Sequence, residues 1–302
     1  MPSISLIIPV YNAAASLPHV IENLLAQTVH DLEIILVDDA STDGSAALCC
    51  AFAERYASKI IAHCCTTQGG PGRARNKGIA LATGKYVGFV DADDSVHTEM
   101  FALLYAAAEN TDAECAVCGI QRRCGAQILR EDLPAQHLDV ATLAADRRIV
   151  SPLWNKIIRR DWLEAQQLRC AETFCAEDAA FVLKMLSRKP RIASVPLALY
   201  QYAIHEQGLS ALLSSRKQVL MALEDVQAYL RQHPPLLPFS RIYWHAVLMH
   251  ALYHPLCLLC IESLWQGKRR KENCKAAPAY FFQVLSFLGK QLLRYNSKKR
   301  AD

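Results

Sequence analysis

The stretch YVGFVDADD, residues 86–94, passes from an apolar strand directly into three carboxylates. Residues 86–90 have the aromatic and β-branched composition of a buried strand. Asp91, Asp93 and Asp94 then bring like charges together, which costs free energy and raises the pKa of at least one of them unless something compensates. A bound cation would remove that cost, so this stretch predicts a cation site at the end of a buried strand.

Short apolar runs of the same kind recur along the first part of the chain, at 4–10, 32–37, 59–64 and 114–120. Patterns of one-sided helices lie between them, formed by Leu17, Val20, Ile21, Leu24 and Leu25 behind Ser16 as a cap, and by Leu48, Ala51, Phe52 and Tyr56. Strands that alternate with helices pair in parallel through right-handed crossovers. We therefore predict a doubly wound, mostly parallel, Rossmann-like α/β sheet.

From about residue 139 the alternation stops and helical patterns dominate, with 151–168 and 176–189 as the clearest helical segments and 191–202 as a strand-like piece. We predict one α/β domain over 1–210, followed by a helical C-terminal region over 211–302. This division follows the change of pattern along the chain.

The most apolar part of the C-terminal region is 243–265, and basic clusters follow it at 267–271 and 297–300. The apolar segment is long enough to cross a membrane, but three His, one Pro and one Glu within it favour a buried or interfacial helix pair. We expect peripheral contact with an anionic membrane surface. A homodimer through the same helices is the competing expectation.

Composition excludes some classes of function. The 302 residues carry a formal net charge of +4 from 33 basic and 29 acidic residues, which is too mild a charge for a nucleic-acid-binding protein. No signal peptide opens the sequence, so we expect a cytoplasmic protein. Its twelve cysteines are then expected to be reduced thiols. Cys115/Cys118 and Cys257/Cys260 have CxxC spacing, for which buried core thiols and a structural zinc site are the two alternatives.

Candidate functional residues cluster where the predicted strands end, the edge at which open parallel sheets bind ligands. Asn or Asp at one such position is ordinary turn chemistry, but the coincidence of several at one edge indicates a site. Neither a GxGxxG nor a GxxxxGK[ST] motif is present, which argues against a dinucleotide cofactor and a P-loop. The residues concerned are Pro9, Tyr11 and Asn12, then Asp38 and Asp39, then Asp91, Asp93 and Asp94, with Arg73 and Arg75 in GGPGRARNKG as partners for phosphate or for the acidic cluster.

Four segments, taken together, resemble the family-2 inverting glycosyltransferases with the GT-A fold. They are SLIIPVYNAAASLPHVIENLLAQT (5–28), LEIILVDDASTDGS (32–45), GGPGRARNKGIALATGKYVGFVDADD (69–94) and CAEDAAFVLKML (175–186). The resemblance implies that Pro9, Tyr11 and Asn12 flank the nucleobase and that Asp39 accepts the uracil N–H. It further implies that Asp91, Ala92 and Asp93, with Asp94 as a further candidate, form a DxD element whose carboxylates hold Mn²⁺ or Mg²⁺ on the donor diphosphate.

Inverting transfer also needs a base for the acceptor hydroxyl. The resemblance assigns this role to Asp178, with Glu177 positioning the acceptor or a neighbouring residue. The alternative is structural, because acidic residues in the first turn of a helix are stabilised by its dipole. Trp154 and Lys156 resemble a segment on the acceptor side, where Lys156 could reach phosphate, although an amphipathic helix anchored by Trp154 and Trp162 explains them equally well. His205 falls where some relatives carry a basic or metal-binding lid residue; a simple exposed loop histidine is expected here.

The resemblance implies that 1–210 is a nucleotide-sugar-binding and catalytic domain. It would carry out an inverting, metal-dependent transfer of a sugar from a nucleotide donor, expected to be UDP-linked, to a hydroxyl. The expected acceptor is a glycan or a lipid-linked precursor of cell-surface polysaccharide or lipopolysaccharide. A catalytically silent scaffold that binds nucleotide sugars within such an assembly is the alternative from another class.

Overall fold

The computed structural model describes residues 2–29, 31–125, 127–134, 152–203 and 216–234. Within these residues one mixed sheet carries the fold. Its strands are β1 Ile4–Val10, β2 Leu32–Asp38, β3 Ile60–Cys64, β4 Tyr86–Phe89, β5 Ser95–Val96, β6 Cys115–Cys124, β7 Gln127–Asp132, β8 Lys156–Arg159 and β9 Ile192–Ala203.

The first four long strands form the predicted parallel half of the sheet. Their order is β3-β2-β1-β4, and every neighbouring pair among them is parallel. β1 and β2 are buried almost throughout, as expected for strands covered by helices on both faces. The predicted α/β architecture is confirmed, and so is the mostly parallel sheet.

The second half of the sheet continues β4-β8-β6-β9-β5, with β7 pairing on β6. β8 runs antiparallel to both β4 and β6, whereas β6 and β9 are parallel. The prediction of a helix over 151–168 is wrong for Lys156–Arg159, because this segment fills the gap between β4 and β6. Ile157 and Ile158 are fully buried there, and β-branched residues suit a strand covered on both faces.

Helices cover the sheet: α1 Leu17–Leu25, α2 Ser45–Arg55, α3 Pro71–Leu81, α4 Met100–Thr111, α5 Arg160–Ala165, α6 Glu177–Ser187 and α7 Arg216–Gln232. The buried face of α1 contains Leu17, Val20, Ile21 and Leu24, as its pattern predicts. Ser16 occupies the N-cap position, but its hydroxyl donates to the carbonyl of Ala92 at 2.7 Å instead of capping the helix. In α2 the buried positions are Ser45 and Cys49, and Ala51 of the predicted face is exposed.

Helix α3 packs unusually close to its neighbours because it presents glycine at two contacts. A Cβ at Gly78 would lie 2.2 Å from Cγ2 of Ile7 in β1, and a Cβ at Gly72 would lie 1.9 Å from the carbonyl oxygen of Ala171. These approaches bring Arg75, on the same helix, between the end of β4 and the start of α6. Helix packing thus sets the geometry of the candidate site.

The part of the predicted C-terminal region that the structure describes is α7. It packs on α6, where the ammonium of Lys184 lies 2.5 Å from a carboxylate oxygen of Asp225 and the side chain of Val226 is fully buried. The segment 243–265, both basic clusters and the Cys257/Cys260 pair lie outside the described residues, as does His205. Among the helices that are described, none is both long and apolar enough to cross a membrane.

Candidate active site

The carboxyl ends of β1 and β2 meet at one edge of the sheet. Val10 lies opposite Asp38, and the backbone N–H of Asp39 donates to the carbonyl of Val10 at 2.8 Å. Pro9 is half-buried at the end of β1, and Tyr11, immediately after it, leaves 36% of its surface exposed. The tyrosine ring and Asp39, which were predicted to contact a nucleobase, therefore belong to the same edge.

Asn12 braces the loop after β1 against the loop after β2. Its φ of 49° is in the left-handed region, its backbone N–H donates to Ser41 Oγ at 2.9 Å, and its side-chain oxygen accepts the N–H of Thr42 at 2.8 Å. The N–H of Ala14 donates to Asp43 in the same way, at 2.9 Å. The amide oxygen of Asn12 thus stabilises the loop that presents Tyr11.

Asp39 is buried and organises the glycine pair before α3. Its two carboxylate oxygens accept the N–H groups of Gly69 and Gly70 at 2.8 and 2.7 Å. Gly70 has a φ of 85°, a conformation that glycine adopts without the cost a side chain would bring. No pattern in the sequence pairs Asp39 with these glycines, although a GG pair ahead of a helix is a signal for backbone donors. Arg73, farther along α3, is exposed and donates to Thr67 Oγ1 at 3.4 Å.

Arg75 joins the two acidic motifs of the chain. Its guanidinium lies 2.9 Å from a carboxylate oxygen of Asp91 and 2.5 Å from one of Glu177. Arg75 and Glu177 are buried, whereas the Asp91 side chain leaves 28% of its surface exposed. Burial raises the pKa of the Glu177 carboxyl, and Arg75 counteracts part of that rise. Of the two roles considered for Arg75, this geometry supports restraint of the acidic cluster.

Asp178 is half-buried beside this ion pair, at the start of α6. Burial raises the pKa of its carboxyl above the ordinary value, while Arg75 opposes the rise and Asp91 adds to it. One of its oxygens accepts the N–H of Ala179 at 2.6 Å. A carboxylate whose pKa is raised is better suited to accept a proton than an ordinary surface aspartate.

The three carboxylates of DADD do not share one environment. Asp93 is exposed and Asp91 is partly exposed, but Asp94 is buried and points inward. Its oxygens accept the hydroxyl of Tyr200 at 2.8 Å and the N–H of Ala203 at 2.9 Å. Burial, with a further contribution from Asp91, raises the pKa of Asp94 to about 8. Asp94 is therefore committed to contacts with β9, and Ala92 contributes its carbonyl to Ser16.

The described residues contain no group of three or more His, Cys, Asp or Glu side chains placed to hold a metal ion. The two accessible carboxylates, Asp91 and Asp93, are hard oxygen ligands. A donor set of this kind fits Mg²⁺ or Mn²⁺ when the ion takes its remaining ligands from phosphate and water, as Mg²⁺ usually does. Cys115 and Cys118, half of the zinc alternative, are both fully buried in β6.

Trp154 lies just before β8, and Lys156 is the first residue of that strand. The Trp154 ring stacks on Tyr200 and Tyr202, with centroids 4.0 and 5.4 Å apart. Lys156 is fully buried, and its ammonium donates to the side-chain oxygen of Asn155 at 2.6 Å and to the carbonyl of Pro152. Burial lowers the pKa of Lys156 to about 8. The ammonium of Lys156 is engaged within the protein, and its contact with a phosphate stays a prediction. The helix given as the alternative does not form at Lys156, which begins β8.

An α/β sheet with Tyr11 and Asn12 after β1 and acidic groups after β2 and β4 is the arrangement expected of a GT-A-type glycosyltransferase. The family model "Glycosyl transferase family 2" matches residues 5–163, and the chain belongs to this family. The uncharacterized glycosyltransferase YibD of Escherichia coli is 28% identical over 83% of this chain and 75% of its own length. The succinoglycan biosynthesis protein ExoO of Rhizobium meliloti is 29% identical over 77% of this chain and 69% of its own length.

Solved structures support the same fold. The S. aureus TarS fragment 1–349 in complex with UDP-GlcNAc superposes with a TM-score of 0.67 at 22% identity, over 82% of this chain and 71% of that one. The mannosyltransferase PcManGT from Pyrobaculum calidifontis, in complex with GDP-Man and Mn²⁺, superposes with a TM-score of 0.60 at 17% identity, over 97% of this chain and 80% of that one. At these identities the likeness establishes the fold alone.

Proposed function

We propose that this protein is an inverting glycosyltransferase that moves a sugar from a UDP-linked donor to a hydroxyl, with Mn²⁺ or Mg²⁺ on the donor diphosphate. The observation that carries the proposal is the buried Arg75, which bonds to Asp91 on one side and to Glu177 on the other. This bridge brings the acidic motif suited to the leaving group next to the acidic motif suited to the acceptor. An inverting transfer needs these two functions on opposite sides of one sugar.

The nucleotide would lie at the edge formed by β1 and β2. Tyr11 is exposed enough for its ring to pack on a base, between Pro9 and the loop that Asn12 holds. Each oxygen of Asp39 accepts one backbone N–H and has a second lone pair, so the carboxylate can still accept a uracil N–H. Arg73 is exposed on the adjacent helix and could reach a phosphate. The UDP-GlcNAc bound to TarS supports this class of donor.

Asp91 and Asp93 would hold the cation. The complex of PcManGT, which shares the fold, with GDP-Man and Mn²⁺ supports a divalent ion beside the donor. When bound, a divalent ion neutralises the charge that develops on the departing diphosphate. The carboxylate of Asp91 is already oriented by Arg75, which leaves its second oxygen for the ion. Asp93 presents its side chain at the surface of the same turn.

Asp178 would take the proton from the acceptor hydroxyl. Its raised pKa and its place at the start of α6, beside the Arg75–Glu177 pair, suit a base on the face of the sugar opposite the leaving group. Glu177 is bound to Arg75, so its role is to hold that arginine and through it Asp91. Trp154 and Lys156 would lie on the acceptor side of the site.

The acceptor would be a glycan or a lipid-linked precursor of cell-surface polysaccharide. The name of ExoO, a succinoglycan biosynthesis protein, supports this class of pathway. Peripheral contact with an anionic membrane, and a homodimer as its competitor, stay predictions that concern residues 243–302.

The test is a panel of UDP-, GDP- and TDP-sugars incubated with the purified protein and Mn²⁺, scored by donor hydrolysis and by transfer to simple hydroxyl acceptors. We expect turnover of a UDP-sugar that stops in EDTA and returns with Mn²⁺ or Mg²⁺, and that is absent in Asp93→Ala. Proton NMR of the product should report an anomeric configuration opposite to that of the donor. Binding of UDP without any turnover would favour the scaffold, and full turnover in chelator would reject the metal.

A further inference from the structure

A ring of hydrogen bonds closes around the DADD turn through one tyrosine of β9. The hydroxyl of Tyr200 accepts the backbone N–H of Asp91 at 3.2 Å and donates to Asp94 Oδ2 at 2.8 Å. The backbone N–H of Asp94 donates to the carbonyl of Asp91 at 3.3 Å. The first and last residues of the turn are therefore joined twice, once directly and once through Tyr200.

The tyrosine that closes this ring is itself held firmly. Tyr200 is fully buried, and its ring stacks on Trp154 with centroids 4.0 Å apart and planes inclined by 20°. The second oxygen of Asp94 accepts the N–H of Ala203, three residues farther along β9. The short strand β5, which follows the turn directly, pairs with Tyr200 and Gln201. The turn is thus fastened to a strand of the sheet.

This arrangement separates the roles of the three neighbouring aspartates. Asp94 uses both oxygens on β9 and points inward, which leaves Asp91 and Asp93 as the accessible pair. Asp91 is restrained from two directions, its backbone N–H by Tyr200 and its carboxylate by Arg75. Carboxylates already held in a binding geometry do not have to be ordered when a ligand arrives, so less binding free energy is lost.

We propose that Asp94 and Tyr200 are positioning residues that preorganise the Asp91–Asp93 segment for a divalent cation and the donor diphosphate. Neither residue touches the ligand in this proposal. The inference rests on the proposed function in one respect, that Asp91 and Asp93 are the residues which receive the cation. It goes beyond the DxD motif, because it assigns the third carboxylate of the cluster to a structural contact with β9.

The decisive variant is Tyr200→Phe, which removes one oxygen and keeps the ring that stacks on Trp154. Its matched control is Tyr202→Phe, because Tyr202 stacks on the same indole at 5.4 Å while its hydroxyl is not part of the ring of bonds. Asp94→Asn keeps one acceptor oxygen, whereas Asp94→Leu keeps none. Hydrogen exchange of the 91–94 segment should therefore accelerate less in Asp94→Asn than in Asp94→Leu, and UDP affinity should fall less. Thermal unfolding of each variant establishes that it is folded before binding is compared.

Two measurements test the proposal. Amide hydrogen exchange of the 91–94 segment should become at least about tenfold faster in Tyr200→Phe, because the bond that protects the Asp91 N–H loses its partner. Calorimetry of UDP binding with saturating Mn²⁺ should show affinity about tenfold weaker in Tyr200→Phe, as expected for a lost buried hydrogen bond. Tyr202→Phe should stay within about twofold of the unmodified protein in both measurements.

The outcomes distinguish a failure of the positioning role from a failure of the cation assignment. Unchanged exchange of the 91–94 segment in Tyr200→Phe would overturn the positioning role, whether or not a metal binds. Faster exchange with unchanged Mn²⁺-dependent UDP affinity would overturn it as well, because the turn would then be dispensable for binding. If the unmodified protein binds UDP equally with and without Mn²⁺, the cation assignment under the proposed function fails, and the proposed link from Tyr200 to a cation fails with it.

Discussion

Replacing Arg75 by methionine should destabilise the protein severely. Arg75 is 5% exposed and is the cation between Asp91 and Glu177. Methionine fills much of the same volume with an unbranched apolar side chain, so the change removes the charge and its donors with little change in packing. What remains is a buried glutamate without its counter-ion.

The magnitude follows from the exposure of the two carboxylates. Glu177 keeps only 9% of its side chain exposed, and stranding a charge in such a place costs about 3–5 kcal/mol. Asp91 keeps 28% exposed, so water solvates it and its share is closer to that of a surface pair, about 0–1 kcal/mol. We therefore expect Arg75→Met to lower the free energy of unfolding by about 3–5 kcal/mol.

The assay is urea denaturation at pH 7, followed by circular dichroism, on Arg75→Met, Glu177→Gln and the double variant. Glutamine needs no counter-ion, so the double variant should recover at least about 1.5 kcal/mol relative to the additive expectation. Arg73→Met is the matched control, since Arg73 is exposed on the same helix, and it should change stability by no more than about 0.5 kcal/mol. A loss below about 1 kcal/mol in Arg75→Met, or no rescue by Glu177→Gln, would refute the buried bridge.

Three further predictions concern single residues. Asp178→Asn should lower turnover by roughly a hundredfold or more while calorimetry finds UDP affinity nearly unchanged; surviving activity would move the base elsewhere. Asp39→Ala should weaken UDP binding by about 1–3 kcal/mol, measured by calorimetry, and unchanged affinity would place the nucleotide elsewhere. Because burial lowers the pKa of Lys156 to about 8, the folded protein binds fewer protons than the unfolded chain between that pH and the ordinary lysine pKa of 10.5. The contribution of Lys156 to stability should therefore rise with pH across this window by an amount on the order of 3 kcal/mol. The difference in stability between the unmodified protein and Lys156→Met should change by that amount in pH-dependent urea denaturation, and a difference that stays constant with pH would contradict the buried lysine.

The sequence alone was sufficient for the parallel half of the sheet and for the edge that carries the acidic groups. Apolar runs at 4–10 and 32–37 indicate strands because they are short and rich in β-branched residues, and the end of each strand is then known. Parallel strands share one carboxyl edge, so residues after β1, β2 and β4 could be placed together without coordinates. Local composition and a topological rule were sufficient for this part of the fold.

Only the tertiary structure decided which of those acidic groups are accessible and what holds them. Arg75 meets Glu177 across 102 positions of the chain, and Tyr200 meets Asp94 across 106. No local pattern encodes such pairings, because they depend on where β8, β9 and α6 dock. The same docking made Lys156 a buried strand residue and turned the carboxylate of Asp94 toward β9. The sequence specifies the type of each residue. The burial and the contacts of that residue, which set its charge and pKa, arise only when distant segments pack.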